Sequence, residues 1–395
     1  MNPDAQRARP SRTGLGRALM ACGVLASDWA PAFAAVPRAA FLPDLIWPFD
    51  VETGQSVAVF RAEEPERWHQ YADADVPIVT QWDDGAHTGR EPGCVATSSA
   101  SMPSVVFSML RDLDVRPGHR VLEIGTGTGW NAALLAHRLG AANVVTVEVD
   151  AAVAATARSN LARFEMPGVR VVHGDGFNDC PDAAPYDRTI ATCGLRSIPY
   201  AWVEQSVPGG VVVVPWGTHF GNGDAVARLV VADDGKSASG RFTGPVEFMK
   251  LRAQRLPVVD HSSYVPGSVA DGDESSTTRT ENRFVGGPFS PRDFVLGLCV
   301  RDCARTVAAK EEGARAVWFY GLSGCRSWAC VQFRDGATTR VWQSGPRRLW
   351  DEVEAALRWW DGQGRPRPGR FGLTVDAAGE RVWLGVPDNP VPGGP

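Results

Sequence analysis

The sequence predicts an α/β protein built on a parallel, doubly wound sheet, with a smaller α+β region added towards its C-terminal end. Three observations predict it. The apolar run Val121-Leu122-Glu123-Ile124 ends in glycines at alternate positions, Gly125, Gly127 and Gly129, and an alanine-rich helical pattern over 132–139 follows. That is a buried strand, a tight turn and a helix start. Strand-like and helix-like runs then alternate to about residue 252, the rhythm of parallel strands joined by helical crossovers. Beyond a stretch rich in Ser, Thr, Gly and Asp over 258–283, short strand-like runs and one amphipathic run follow without that alternation.

Taken in order, residues 1–12 read as a disordered start. A helix to about Leu25 follows, with Leu15, Leu19 and Cys22 spaced for one buried face. A second short helix holds Trp29 to Ala35. Residues 45–70 carry Trp47, Trp68 and mixed charges without a clear period. Thr97, Ser98, Ser99 and Ser101 precede the amphipathic stretch Ser104 to Leu113, suited to supply an N-cap and several donors near one helix start. After the glycine turn come a strand ending at Glu148, a helix from Asp150 to Phe164 and a strand from Val169 to Val172. Strands over 185–192 and 208–215 follow, with late antiparallel strands at Arg228 to Val231 and Val246 to Arg252. Beyond 258–283, strands are expected at Val317 to Tyr320, Ala329 to Phe333 and Thr339 to Gln343. A helix from Leu349 to Trp360 and a hairpin from Phe371 to Leu384 complete the chain. The seven tryptophans of this part, Trp318, Trp328, Trp342, Trp350, Trp359, Trp360 and Trp383, read as core, with an exposed subset able to hold a peptide. The organisation expected is a catalytic domain over 13–255, a linker over 256–283 and an accessory domain over 284–395.

Gly125, Gly127 and Gly129 remove side chains where backbone must bend and a ligand must lie close. Glu148 ends the next strand about twenty positions later, suited to accept hydrogen bonds from ribose hydroxyls. His173-Gly174-Asp175-Gly176 closes the third strand with a polar turn suited to an adenine. Glycine turn, acidic strand end and Gly-Asp-Gly turn, in that order, resemble the S-adenosylmethionine site of a class I methyltransferase, a Rossmann-like fold. The cofactor contacts this implies are Ser98, Glu123, Gly125, Thr126, Gly127, Gly129, Glu148, Val149, Asp175 and Gly176.

Val36-Pro37-Arg38 with Phe41 and Pro43, Asp75-Val76-Pro77, and Thr97, Ser99 and Ala100 narrow the resemblance. They are similar to motifs of the protein-L-isoaspartate O-methyltransferases, over about residues 15–252. Ser98, Ser101, Met102 and Pro103 depart from that family's threonine-isoleucine-serine-alanine-proline pattern and its histidine-containing continuation. The segment from Gln81 to Pro92 is longer than the family's loop. The resemblance implies catalytic roles for Ser99 and Thr97, with a peptide or protein bearing aspartate or isoaspartate as substrate.

The formal net charge of -5 gives no electrostatic footprint for nucleic acid. No apolar run reaches bilayer length. Arg7, Arg9, Arg12 and Arg17 before the apolar run 18–26, and Ala32-Phe33-Ala34 beyond it, leave a secretion signal open as an alternative. Asp28 and Trp29 interrupt that stretch, and a cytoplasmic enzyme is the reading preferred. Eight cysteines show no paired framework. Cys299, Cys303, Cys325 and Cys330 are spaced poorly for a zinc site, so no metal is expected. Oligomeric state is not legible.

A carboxylate is ionised at neutral pH, with an ordinary pKa near ~4, so its methylation needs orientation and exclusion of water rather than a strong base. The reading preferred from sequence is a methyltransferase acting on an ordinary aspartate of a ribosomally made, macrocyclic peptide, such as those of lanthipeptide or ATP-grasp pathways. The ester then closes to an aspartimide. It rests on the departures at Ser98, Ser101 and Met102 and on the added C-terminal region. Two alternatives stand beside it: isoaspartate repair of damaged proteins, and a non-catalytic, S-adenosylmethionine-binding peptide-recognition protein.

Overall fold

A computed structural model describes residues 11–177, 183–286, 289–322, 324–336 and 338–393. The expected disordered start lies almost wholly outside the described residues. The chain divides into two compact units. One holds the chain up to Cys193 with Ala201–Val213 and Asp233–Gly235; the other holds Gly194–Tyr200, Val214–Ala232 and Lys236–Pro395.

In the first unit, parallel strands lie in the order Arg170–His173, Val144–Glu148, Val121–Ile124, Tyr186–Ala191 and Ser206–Trp216, the last as far as Val213. All of Val121–Ile124 is buried, as a strand covered on both faces requires. Winding reverses beside it, because the next strand in sequence lies on one side and Tyr186–Ala191 on the other. Such a reversal opens a crevice at the carboxyl ends of the two central strands.

A smaller antiparallel sheet in the same unit runs Gln55–Ser56, Leu45–Asp50, Ile78–Trp82, Ala96–Ala100. It absorbs part of the stretch that showed no period, and it corrects the reading of the hydroxyls. Thr97, Ser98 and Ser99 lie in a strand, and none caps the following helix, Pro103–Leu113. Met102 occupies the N-cap position, and the Asp75 carboxylate accepts from the Ser104 N–H at 2.8 Å. A cap supplied from 29 residues away is invisible to local pattern.

Arg38 of the Val-Pro-Arg motif is buried. Its guanidinium donates to the carbonyls of Tyr71, Ala72, Ala74, Val76 and Ser101 at 2.8–3.1 Å. Burial lowers its pKa to about 10, still charged at neutral pH. The five carbonyl oxygens replace lost water and tie the Asp75 segment to the end of the hydroxyl strand. The first helix, Arg12–Ala21, ends earlier than expected, before Gly23 at φ +73°.

In the second unit, Asp224–Val231, Ser237–Val246, Phe371–Asp376 and Gly379–Leu384 pair antiparallel in that order. The expected strand at Val246 to Arg252 is misplaced; the strand is Ser237–Val246. Gly240 and Gly244 disguised it. A Cβ at Gly240 would lie 1.9 Å from the Arg228 carbonyl oxygen, so the cross-strand neighbour demands glycine. A second sheet runs Asp273–Thr277, Thr339–Ser344, Trp328–Arg334, Ala314–Gly321, Cys303–Val307. Val317, Phe319, Val331 and Phe333 pack it against Leu349, Val353 and Leu357 of the helix Leu349–Gly362. The stretch read as a linker therefore carries an edge strand, where Glu274 pairs with Arg340 at 2.8 Å. The terminal hairpin joins Ser237–Val246 rather than this second sheet. Trp328, Trp342, Trp350 and Trp383 are buried, as expected of core, and Trp318, Trp359 and Trp360 are half-buried.

Among the described residues, no helix is long and apolar enough to cross a membrane, and no group of His, Cys, Asp and Glu is placed to hold a metal ion.

Candidate active site

The site is built at the carboxyl ends of the parallel strands of the first unit. Gly125, Gly127 and Gly129 all have positive φ, +94°, +52° and +89°. Side chains rarely adopt that backbone, and the turn presents its peptide groups bare. Gly129 is the N-cap of the helix Trp130–Leu139, so the turn runs into a helix N-terminus. The turn is pinned from both sides. Glu148 accepts from the Gly127 N–H at 2.9 Å and the Asp150 N–H at 3.1 Å. Thr192, at the end of Tyr186–Ala191, donates to the Gly125 carbonyl. Asn160 donates to the Thr128 carbonyl at 3.0 Å.

Glu148 is half-buried. Two N–H donors leave carboxylate lone pairs open for ribose hydroxyls. Val149 is half-buried beside it. Gly176 packs directly on the glycine strand, where a Cβ would lie 2.5 Å from Ile124 Cγ2, and its carbonyl accepts from Trp202 Nε1 at 3.1 Å. Asp175 is half-buried and accepts from the Phe177 N–H at 3.0 Å. Glu148, Gly176 and the glycine turn thus converge on one edge of the sheet, which fits a nucleoside lying along it.

Not every expected contact reaches that edge. Glu123 and Thr126 are 0% and 4% exposed, sealed beneath the turn. Glu123 accepts from Asn131 Nδ2 at 2.7 Å and Thr146 Oγ1 at 2.6 Å, and Thr146 Oγ1 lies 2.7 Å from Thr126 Oγ1. Burial pushes the Glu123 carboxyl up to about 7 against the pull of those two hydrogen bonds. Strand pleat explains the placement, since alternate residues of a strand covered on both faces still point into protein. Glu123 and the Thr126 side chain shape the turn from below.

The strand Ala96–Ala100 closes on this turn. A Cβ built on Gly127 would stand 3.3 Å from the Ser99 carbonyl oxygen and 3.9 Å from Ser98 Oγ. Ser98 is buried, with Thr80 Oγ1 at 3.3 Å. Thr97 and Ser99 are half-exposed on the opposite face. Thr97 Oγ1 accepts from the Asp84 N–H at 3.1 Å and donates to Gln81 Oε1 at 2.9 Å, and Gln81 Nε2 reaches Asp150 Oδ2 at 3.3 Å. Thr97 therefore fixes a turn and, through Gln81, the residue after Val149. The reading of sequence gave no site role to Thr192 or Trp202, and named Gln81 only as the start of the long segment to Pro92. Only Thr192 left a signal, a hydroxyl one step beyond a buried strand. The long segment after Gln81 is tied down by Asp83, which accepts from the N–H groups of Cys94 and Val95 at 3.0 and 2.7 Å.

Parallel strands that reverse at a glycine turn, an acidic strand end and a Gly-Asp-Gly turn define a class I S-adenosylmethionine-dependent methyltransferase. A model of the family described as Protein-L-isoaspartate(D-aspartate) O-methyltransferase matches residues 59–255. The chain is 34% identical over 173 residues to the protein-L-isoaspartate O-methyltransferase of Pyrococcus horikoshii, 44% of this chain and 78% of that one. With the protein of the same name from Xanthobacter autotrophicus it shares 39% identity over 207 residues, 52% of this chain and 78% of that one. A solved structure titled protein-L-isoaspartate O-methyltransferase superposes with a TM-score of 0.55 at 21% identity, covering 95% of this chain and 100% of that one. The chain belongs to the protein-L-isoaspartate(D-aspartate) O-methyltransferase family.

Proposed function

We propose that the chain methylates the side-chain carboxylate of isoaspartate in peptides or proteins, with S-adenosylmethionine as methyl donor. One observation carries the reading: a hydroxyl-bearing strand lies against the bare glycine turn, with Ser99 O 3.3 Å and Ser98 Oγ 3.9 Å from where a Gly127 Cβ would stand. When bound, S-adenosylmethionine supplies an electrophilic methyl group. The substrate carboxylate is already the nucleophile at neutral pH, so the chain needs to hold it in line and keep water out. No described intramolecular hydrogen bond uses Ser99 Oγ, which leaves it to donate to a carboxylate oxygen. Thr97, engaged with Asp84 and Gln81, positions rather than donates. Ser98 with Gly127, Glu148 with ribose, and Asp175 and Gly176 with adenine form the cofactor side of the cleft. Residues 13–255 form the catalytic part in this reading, and 284–395 an accessory part that holds substrate.

The relatives' names support isoaspartate over an ordinary aspartate in a dedicated macrocyclic peptide. The added C-terminal region, which favoured the peptide reading, falls within the 95% of this chain spanned by a structure titled for the isoaspartate enzyme. Mass spectrometry separates the possibilities. The full chain is incubated with S-adenosylmethionine and one of three peptides: an isoaspartyl peptide, its aspartyl isomer, or a macrocyclic aspartyl peptide. Methyl gain on unrelated isoaspartyl peptides and none on their isomers is expected. Gain confined to the macrocycle would establish the peptide-pathway reading instead. Cofactor binding with no gain on any of them would leave a recognition protein.

A further inference from the structure

The second unit contains a recess of about 350 Å³ that the reading above does not use. It is lined by segments leaving the carboxyl ends of Tyr186–Ala191 and Ser206–Trp216, by Gln254 to Leu256, and by Arg301 and Asp302. The volume sits near the lower end of small-ligand pockets, roughly 300–1,000 Å³, and suits one or two side chains rather than a nucleotide.

Its lining carries Arg196, Arg255 and Arg301 against a single acid, Asp302. Arg196 is committed to the buried Asp224 at 2.8 Å. Arg301 is different. Its Nε and Nη2 are shielded from water and have no hydrogen-bond partner. Unpartnered buried donors are costly, more so when charged, and mark a place where an acceptor is missing. The internal anion that acts most on Arg301, Glu380, spends its oxygens on the Ile198 N–H and on Trp216 Nε1, the latter at 3.1 Å. Burial pushes its carboxyl up to about 7, so near neutrality it is a weak counter-ion for Arg301. His219 is held below the ordinary imidazole range by burial and by Arg196, and stays neutral there. Leu256, 43% exposed, adds apolar surface.

We infer that this recess binds a side-chain carboxylate of an acidic peptide segment, with Arg301 as the specificity-determining cation and Leu256 as the apolar contact beside it. Arg301 lies outside residues 59–255, the part that the family model matches. The inference deepens the reading of a peptide or protein substrate: it selects substrates with a second acidic residue in addition to the one methylated. A planar guanidinium recognises a carboxylate through paired N–H donors, which lysine cannot reproduce.

Calorimetric titration of the full chain without cofactor tests it. The probes are a terminally blocked Ala-Glu-Leu-Ala peptide and its Gln counterpart, whose only ionic difference is the carboxylate. The Glu peptide is expected to bind about 10-fold more tightly. Arg301→Met should bring the two affinities together, and Arg301→Lys should leave a preference of about 3-fold. Thermal melts of both variants confirm folding; if Arg301→Met does not fold, the fall in preference in Arg301→Lys decides. Equal affinities in the unaltered chain, or a full preference in either folded variant, would overturn the inference. Because methylation is not the readout, a chain that prefers the Glu peptide but methylates no isoaspartyl peptide keeps this site and loses the proposed reaction. The converse result keeps the reaction and loses the site.

Discussion

Glu123 and Asp224 are fully buried carboxylates, one in each compact unit, and their surroundings treat them in opposite ways. Around Glu123 the partners are neutral: the amide of Asn131 and the hydroxyl of Thr146. Around Asp224 they are cations, Arg196 at 2.8 Å and Lys250 at 2.6 Å, with side chains 8% and 16% exposed. Neutral donors cannot make up for lost water around a full charge, so Glu123 shifts towards its protonated form. Two cations pair with the Asp224 carboxylate, and burial depresses the pKa of Lys250. The same depth yields a proton-holding group under the candidate cofactor turn and a fixed charge cluster behind the recess.

The largest effect expected from that contrast falls on the charge cluster. Asp224→Asn removes the anion that pairs with both Arg196 and Lys250, and losing one member of such a buried group costs about 3–5 kcal/mol. Urea unfolding at pH 7 should show a loss of that size. A change below about 1 kcal/mol would mean that solvent already reaches Arg196 and Lys250.

The next effect concerns pH. The Glu123 carboxyl lies at about 7 when folded and near 4.5 otherwise. Between those values the folded state binds more protons than the unfolded one. The stabilisation is therefore complete below pH 4.5 and is lost as pH rises through 7. The gap corresponds to about 3 kcal/mol at 1.36 kcal/mol per unit. Glu123→Gln should be tolerated, because the buried, unpartnered Asn131 Oδ1 can turn to accept from the new amide. It should flatten the fall in stability between pH 5 and 8 by about 3 kcal/mol. Part of the slope should survive, because Glu380 titrates in the same window. Parallel stability profiles for variant and parent would show that Glu123 stays ionised.

The contrast between units also governs what could be read in advance. Val121–Ile124 and its glycines were legible because burial on both faces writes an uninterrupted apolar run, and positive φ writes glycine. Glu148 and the Gly-Asp-Gly turn followed from spacing along one sheet edge. Glu123, expected among the cofactor contacts, is buried beneath the turn, and strand position alone does not say which side of a turn a carboxylate faces. Arg38 belonged to a recognised motif, yet four of its carbonyl partners come from a segment more than thirty residues away and the fifth, Ser101, from 63 residues away. Ser237–Val246 and Asp273–Thr277 escaped because glycine and acidic residues dilute strand character where a neighbour, not propensity, makes the pairing. The recess at Arg301 gathers segments far apart in sequence, and no local pattern could announce it.

The smallest effect tests the division of labour within the hydroxyl strand. Pleating turns Ser98 and Ser99 to opposite faces: Ser98 is buried beside Thr80 and near Gly127, whereas Ser99 is half-exposed. A neutral hydrogen bond contributes about 0.5–1.5 kcal/mol, a factor of roughly 2–13 in rate or affinity. Ser99→Ala should lower kcat by about that factor on an isoaspartyl peptide and leave cofactor affinity, read by calorimetry, unchanged. Ser98→Ala should do the reverse, weakening cofactor binding with a smaller loss in kcat at saturation. If both variants lose cofactor affinity equally, the strand acts as one wall of the cofactor cleft and Ser99 has no separate role towards the carboxylate. If Ser99→Ala alone loses turnover, the half-exposed face of the strand is where the substrate carboxylate lies.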